Sequence, residues 1–177
     1  MFARTAPAIP PALLQHGQKI DRLLARAVQL FDQNRPEQAI VPLDQYLSLR
    51  PQHYDAVHLR AELALQIKDF DNAIKRFMTA ISLKPLDWRA YYNLGLTLQE
   101  YRRYGEALRV YDMALELSPT TCSVLNNRGV VLRDLQRYGD AEESFQRTLA
   151  LDPTFLNAYV NLACIHVRRH QLAQGLT

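Results

Sequence analysis

Few side chains in this sequence have the type and spacing that metal binding or catalysis requires. His166 and His170 are four residues apart, close to Cys164, and would share one face of a helix. That spacing suits a metal ion, but neither a carboxylate nor a fourth ligand accompanies these side chains. We favour the alternative interpretation, two exposed histidines near a helix end, and expect no metal ion.

The other residues with chemical potential do not form an enzyme motif either. Cys122 and Cys164 have no assignable general base, so a reactive thiol is not predicted. The sequence contains no Gly-rich phosphate loop, serine nucleophile elbow, paired-carboxylate motif or zinc ligand set. We therefore expect a binding protein without a cofactor rather than an enzyme.

Composition narrows the class of protein further. With 48% hydrophobic and 22% charged residues, the 177-residue chain is folded rather than disordered. A net charge of +3 is too small to indicate nucleic-acid binding by itself. The sequence has no long apolar run, and prolines interrupt its N-terminus, which does not resemble a secretory signal. Two cysteines suit a reducing compartment, so we predict a cytoplasmic protein without a membrane span.

Four prolines reveal an internal repeat. Pro51, Pro85, Pro119 and Pro153 are equally spaced along the chain, and each ends a similar phrase, as in YLSLRP and AISLKP. The chain then divides into a Pro-containing segment (1–19), repeat 1 (20–53), repeat 2 (54–87), repeat 3 (88–121), repeat 4 (122–155), and a partial fifth repeat or capping helix (156–177).

Small and large residues recur at fixed positions of the repeat. Position 8 is always alanine or glycine, position 20 is always alanine, and position 24 is large and apolar. Small residues allow paired helices to approach closely, so we expect these positions to pack the repeats together. The predicted packing residues are Ala61, Gly95 and Gly129 at position 8, Ala73, Ala107 and Ala141 at position 20, and Phe77, Tyr111 and Phe145 at position 24.

Each repeat divides into two helical halves. Apolar residues recur at helical spacing in both halves, a polar turn separates them, and the proline ends the second helix. The predicted helices are 20–33, 36–49, 54–67, 70–83, 88–101, 104–117, 122–135, 138–151 and 156–169. Residues 12–16 could extend the first helix, and Pro42 is predicted to bend the second. A further helix is predicted to begin at Gln171, with Leu172 at its aromatic or apolar position.

This pattern resembles the tetratricopeptide repeat. Repeat 3 carries Leu94-Gly95, Leu98, Ala107, Tyr111, Ala114 and Pro119 at the family's marker positions. The resemblance is closest to bacterial proteins with many such repeats and to O-linked N-acetylglucosamine transferases. It implies an all-α solenoid of about nine helices, a right-handed superhelix of antiparallel pairs whose first helices line a concave groove. Position 7 departs from the family's usual leucine, since it is Arg26, Arg60 and Arg128 in three repeats.

The resemblance also suggests which residues face the groove. Position 6 holds Asn93, Asn127 and Asn161, whose amides can pair with both polar groups of a peptide backbone. A similar asparagine ladder lies in the superhelix of O-linked N-acetylglucosamine transferases. The alternative is that asparagine is simply common at this position, without a role in peptide binding. The remaining residues expected to bind a peptide are Tyr92, Asn126, Arg89, Glu62 and Arg133.

Three functions remain open at this point. The first is an interaction scaffold or adaptor that binds an extended or helical peptide in the groove. The second is the substrate-recruiting part of a larger enzyme such as a glycosyltransferase, suggested by the partial fifth repeat.

Self-association through an open C-terminal face is also predicted. Positions 5 and 9 lack the residues of the family's carboxylate clamp, so binding of chaperone C-termini is disfavoured.

The third function is weak binding of acidic surfaces or nucleic acid through an arginine edge. Six arginines lie near the ends of successive first helices, where stacking would align them. The alternative is that cations simply favour helix C-termini. The residues are Arg102, Arg103, Arg133, Arg137, Arg168 and Arg169.

Overall fold

The computed structural model describes the backbone of residues 11–174 and the side chains of residues 17–169. Within these residues every regular element is an α-helix, which confirms the all-α prediction. The helices are α1 (Pro11–Asp32), α2 (Pro36–Leu49), α3 (Tyr54–Gln66), α4 (Phe70–Leu83), α5 (Trp88–Glu100), α6 (Tyr104–Leu117), α7 (Cys122–Asp134), α8 (Tyr138–Leu151) and α9 (Leu156–Gln174).

The predicted helix bounds differ from the structure mainly at the two ends of the chain. Helices α2 to α8 begin and end within one residue of their predicted bounds. Helix α1 begins at Pro11, which confirms the extension over residues 12–16. Helix α9 continues without a break to Gln174, so the prediction of a new helix at Gln171 is wrong for residues 171–174, Leu172 included. Residues 1–10 and 175–177 lie outside the described part of the chain.

The chain divides into two compact units between Asp69 and Phe70. In the first unit, α1 packs against α2, and α2 packs against α3. In the second unit each helix from α4 to α9 packs against the next, so that the helices form a repeat solenoid. The first helices of successive repeats, α5, α7 and α9, also contact one another. This side-by-side contact positions the candidate site.

Close contacts between glycine and an aromatic ring hold the helix pairs of the second unit together. A Cβ atom on Gly129 would lie 2.6 Å from Cε1 of Phe145, and one on Gly95 would clash in the same way with Tyr111. Both rings are fully buried, so they have no room to move aside. The other predicted packing residues are also fully buried: Ala61, Ala73, Ala107, Ala141 and Phe77.

A residue with left-handed backbone conformation follows the first helix of each of repeats 1 to 4, namely α1, α3, α5 and α7. Arg102 has φ 61°, its N–H donates to the Gln99 carbonyl (3.0 Å), and the Arg103 N–H donates to the Leu98 carbonyl (2.8 Å). This pair of hydrogen bonds is a Schellman motif, which satisfies the last carbonyls of a helix. Glycine adopts this conformation most easily, yet none of the four residues is glycine. They are Asn34, Lys68, Arg102 and Gln136, each at the same position of its repeat.

Ion pairs explain two of the arginines that replace leucine at position 7. Nε of Arg60 lies 2.8 Å from Oδ1 of Asp44, and Nε of Arg128 lies 2.7 Å from Oδ1 of Asp112. Each aspartate is at position 25 of the preceding repeat, so the pair joins one repeat to the next. Nη1 of Arg128 also donates to Oγ of Ser144 (2.9 Å).

The remaining repeat junctions lack this charge pair. Position 25 of the earlier repeat and position 7 of the later one are Met78 and Leu94 at one junction, and Gln146 and Leu162 at the next. Arginine therefore occurs at position 7 of a later repeat only where the earlier repeat has an aspartate at position 25. At these two junctions the departure from the family pattern is therefore part of an ion pair between repeats.

Pro42 does not interrupt α2, which continues to Leu49. The proline ring removes the hydrogen bond to the carbonyl of Gln38, a residue that is exposed and can be hydrated instead. The predicted bend of α2 stays a prediction.

The glycine contacts predict how two alanine substitutions change the free energy of unfolding. Gly129→Ala should lower the free energy of unfolding by about 1–3 kcal/mol, because the new methyl group overlaps the buried Phe145 ring. Gly139→Ala is the matched control, since nothing lies within 4 Å of a Cβ there, and it should cause no loss. Urea denaturation of both variants measures the difference. Equal stabilities would contradict the close packing of Gly129 against the Phe145 ring.

The left-handed turns predict a stabilising glycine. Arg102→Gly should raise the free energy of unfolding by about 1 kcal/mol, because glycine has no Cβ to strain at φ 61°. Arg109→Gly, an exposed position within α6, should lower it by about the same amount. The opposite signs are measured by chemical denaturation. A loss of stability at residue 102 would show that its backbone is not strained.

The ion pair between repeats predicts a measurable coupling. A double-mutant cycle of Arg128→Leu and Asp112→Met should give a coupling energy of about 0.2–1 kcal/mol, a low value because 51% of the Asp112 side chain is exposed. The coupling should fall as salt is added. The double variant carries the Met and Leu of the neighbouring junction and should fold as a monodisperse protein. Zero coupling at low salt would remove the pair as a contact that joins repeats.

Candidate functional site

A continuous series of hydrogen-bonded side chains crosses three helices of the second unit. On α5, the Tyr92 hydroxyl oxygen accepts a hydrogen bond from Nδ2 of Asn127 on α7 (3.2 Å). Oδ1 of Asn127 accepts from Nδ2 of its neighbour Asn126 (3.2 Å). These contacts link the first helices of repeats 3 and 4.

The series continues from α7 to α9. Nδ2 of Asn161 donates to Oδ1 of Asn126 (3.1 Å), and Oδ1 of Asn161 accepts from Nη1 of Arg133 (2.8 Å). We call these five side chains the polar chain: Tyr92, Asn127, Asn126, Asn161 and Arg133. Five of the eight residues that the sequence predicted for the groove are therefore brought together by the fold.

Asn126 is the buried centre of the polar chain. Only 5% of its surface is exposed, and its amide nitrogen and amide oxygen both have partners. A buried amide without partners would destabilise the fold, so the network is required once Asn126 is in place. Asn127 and Asn161 are only partly buried. Each amide in the chain donates one of its two N–H groups, so Asn127 and Asn161 each retain a second donor.

Aromatic rings surround the α5 end of the polar chain. The Tyr92 ring lies 6.1 Å from that of Trp88 and 6.3 Å from that of Tyr111. Burial raises the pKa of Tyr92 above its ordinary value, and the hydrogen bond from Asn127 opposes this in part. Burial likewise raises the pKa of Tyr111, whose hydroxyl donates to Oε1 of Gln99 (2.8 Å). Tyr92 is therefore a neutral phenol at physiological pH, with its own O–H still able to donate.

The other three predicted groove residues are not members of the polar chain. Asn93 follows Tyr92 on α5, and its carbonyl accepts from Oγ1 of Thr97 (2.8 Å). Nη2 of Arg89 lies 2.9 Å from Oδ2 of Asp87, the residue that caps α5. Glu62 lies on α3 in the first unit, where its carboxylate is 3.5 Å from Nδ1 of His58.

The role of Asn126 as a link was not predicted from the sequence. The asparagines of position 6 recur in three successive repeats, whereas Asn126 is at position 5 of one repeat only. The signal that could have identified it is the pair Asn126-Asn127. Two adjacent amides on one helix can pair with each other and also reach the helices on both sides.

A cavity of about 580 Å³ lies at the α9 end of the polar chain. It is next to the end of α7, the turn after it, the start of α8 and one face of α9. We call it the arginine cavity. Its lining residues are Arg133, Asp134, Gln136, Tyr138, Cys164 and Arg168.

Carboxylates neutralise much of the predicted arginine edge. Four of its six arginines have an acidic partner within 3.0 Å. This pairing favours the interpretation that the arginines stabilise helix ends. It does not favour a continuous basic surface. The pairs are Arg103 with Glu106, Arg133 with Asp134, Arg137 with Asp140, and Arg169 with Glu142.

The described metal and thiol candidates do not come together in one cluster. Among the described side chains, no group of three His, Cys, Asp or Glu residues could hold a metal ion. His166 is exposed, and the side chain of His170 lies outside the described residues. Cys122 and Cys164 are free thiols. None of the helices in the described range is long and apolar enough to cross a membrane.

The last helix exposes apolar side chains. Leu156, Tyr159, Val160 and Val167 of α9 are each more than half exposed. Ala163, at position 8, is exposed as well, whereas Gly95 and Gly129 at the same position lie under aromatic rings. An apolar surface is therefore open on α9, and self-association through it stays a prediction.

Sequence models of a known family match this chain. Two sequence models, both described as tetratricopeptide repeat, match the chain, one at residues 88–121 and 123–155 and the other at residues 30–95. The first pair of ranges reproduces repeats 3 and 4 to within one residue. No curated protein matches the sequence.

Solved structures show the same fold at low sequence identity. MamA (residues 41 to the end) from Desulfovibrio magneticus RS-1 is 18% identical with a TM-score of 0.80, over 86% of each chain. A crystal structure of MamA is 17% identical with a TM-score of 0.76, over 81% of this chain and 84% of that one. Pseudomonas aeruginosa pilF is 23% identical with a TM-score of 0.75, over 88% of this chain and 71% of that one.

These similarities concern the fold alone. The specific resemblance to O-linked N-acetylglucosamine transferases stays a prediction. The two sequence models together match well over half of the residues, and the helices follow the predicted period of the repeat. This chain therefore belongs to the tetratricopeptide repeat family.

Proposed function

We propose that this protein is an interaction scaffold or adaptor that binds an extended peptide segment of a partner protein along the polar chain. Repeats of this family bind protein partners, which supports the general class of function. The observation that carries the specific proposal is the polar chain itself. It joins α5, α7 and α9, and its two partly exposed asparagines retain amide donors.

The spacing of the helices suits an extended peptide. Packed helices lie about 8–10 Å apart, and three extended residues span about the same length. Asn127 and Asn161 lie on neighbouring first helices, so each could bind one backbone amide group about every third residue of a peptide. Such pairing depends on the peptide backbone and leaves the choice of partner to other contacts.

The two ends of the polar chain differ in chemistry, so a bound peptide would have a preferred direction. Trp88 and Tyr92 offer a partly exposed aromatic surface at the α5 end. Arg133 offers a cation at the other end. Aromatic residues are common energetic anchors of interfaces, so we expect an apolar peptide side chain near Tyr92.

A purely structural role for the asparagines is the main alternative. Asn126 is buried, and the polar chain satisfies its amide whether or not a peptide binds. On that interpretation, removal of Asn127 and Asn161 would cost stability and leave peptide binding unaffected. The two interpretations are thus separated by measuring folding and binding on the same variants.

The other functions have less support. Ion pairing of the arginine edge weakens the proposal of binding to acidic surfaces or nucleic acid. A substrate-recruiting role within a larger enzyme uses the same groove, so it is compatible with the proposal. That this chain is not itself an enzyme, and lies in the cytoplasm, are predictions that accompany the proposal.

Replacing the position-6 asparagines tests the proposal directly. Peptides are first selected on the wild-type protein from a displayed random library, and their binding is measured by fluorescence anisotropy. Asn93, Asn127 and Asn161 changed together to alanine should weaken binding of a selected peptide at least tenfold, because backbone hydrogen bonds are lost. Gln146→Ala, an exposed amide on the second helix α8, is the control and should have no effect.

Circular dichroism must show that the triple variant remains folded. Unchanged affinity in a folded triple variant would contradict the role of the asparagines. A selection without any binding peptide would contradict the proposed function as a whole.

A further inference from the structure

Two arginines from neighbouring first helices meet at the arginine cavity. Arg133 is on α7 and Arg168 is on α9, and both line the same space of about 580 Å³. A volume of this size is typical of ligand sites. The cavity shares Arg133 with the polar chain, so the two sites are adjacent.

Arg133 is held in place by its partners. Nη1 donates to Asn161 (2.8 Å), while Nε and Nη2 donate to Oδ1 of Asp134 (3.1 and 2.9 Å). Three of the five guanidinium N–H groups are used in this way, which leaves two donors. Because these bonds fix it and only 28% of the side chain is exposed, the guanidinium is oriented before any ligand arrives. Preorganised donors lose less entropy on binding.

Arg168, the second arginine of the cavity, differs from Arg133 in its charge partners. It forms no ion pair with any residue whose side chain the structure describes. The adjacent Arg169, in contrast, is paired with Glu142 at 3.0 Å. A cation that lines a cavity and forms no ion pair with the described side chains is suited to an anionic ligand.

The charges around the cavity indicate which anion fits. Two guanidinium groups and the Asp134 carboxylate give a net charge of +1, which a single carboxylate would balance. A phosphate dianion would leave excess negative charge beside Asp134. Tyr138 and Gln136 line the cavity as neutral side chains that can donate hydrogen bonds.

We infer that the arginine cavity binds one carboxylate group of the peptide that lies on the polar chain. This inference rests on the proposed function and adds the chemical class that the site selects. The carboxylate can come from an Asp or Glu side chain or from a peptide C-terminus. In either case it lies at the α9 end, next to the residue whose backbone pairs with Asn161.

Peptide selection with two library formats tests this inference. One library displays peptides with a free C-terminus, and the other displays them as an internal segment. If the carboxylate is a side chain, wild-type protein should enrich an acidic residue at a fixed position in the internal library. If it is the peptide C-terminus, binding should require the free C-terminus of the first library. Replacing that Glu by Gln, or amidating that terminus, tells the two sources apart.

The protein variants then locate the contact. Arg168→Gln should abolish the acidic preference and weaken binding of the selected acidic peptide about tenfold, and Arg168→Lys should retain part of both. For the neutral counterpart of the peptide, wild type and Arg168→Gln should bind equally. Arg169→Gln is the matched control, since that neighbouring residue is already paired with Glu142, and it should change neither value.

Several results would overturn the inference. They are an absence of acidic preference in both libraries, an acidic preference that persists in Arg168→Gln, or tighter binding of a phosphoserine peptide than of its Glu counterpart. If peptides bind through the asparagines without any preference for acid, only this inference fails. If triple alanine replacement of the asparagines leaves binding unchanged, the proposed function fails.

Discussion

The fold of the second unit depends on the close approach of helices over glycine. Gly95 and Gly129 lie against the rings of Tyr111 and Phe145, and no atom larger than hydrogen fits between them. The contact fixes the distance within each helix pair. The Schellman turns at Arg102 and Gln136 then fix how the chain leaves one helix and enters the next. Together these constraints stack α5, α7 and α9 as neighbours.

The polar chain is a consequence of that stacking. Hydrogen bonds between side chains of different helices form only when the backbones are held at a constant separation, and those from Asn127 to Tyr92 and from Asn161 to Asn126 span two such junctions. Burial of Asn126 makes the network structurally necessary, while partial exposure of its neighbours makes it available for binding. On the proposed function, stability and recognition would use the same amides. The arginine cavity extends this arrangement, since Asn161 and Asp134 orient Arg133 from both sides.

Much of the fold could be predicted from the sequence because its signals repeat. Equally spaced prolines and small residues at positions 8 and 20 locate helices α2 to α8 within a residue. The left-handed turns could not be predicted, because Arg102 and Gln136 carry none of the glycine signal that marks such turns. The arginines at position 7 were visible as departures, but their aspartate partners become evident only when neighbouring repeats are packed. For the site, the asparagines of position 6 were identified by period, whereas Asn126 and the arginine cavity depend on contacts among three helices.

The side-chain amide resonances of Asn127 and Asn161 provide the most direct test that the polar chain binds a peptide backbone. In a titration of nitrogen-15-labelled protein with a selected peptide, we expect both pairs of amide protons to shift and to become slower to exchange with water. The side-chain amide of Gln146, on the second helix α8, should remain unchanged. If the amides of Asn127 and Asn161 do not respond while resonances of the exposed apolar face of α9 do, the peptide binds on α9 and not along the polar chain.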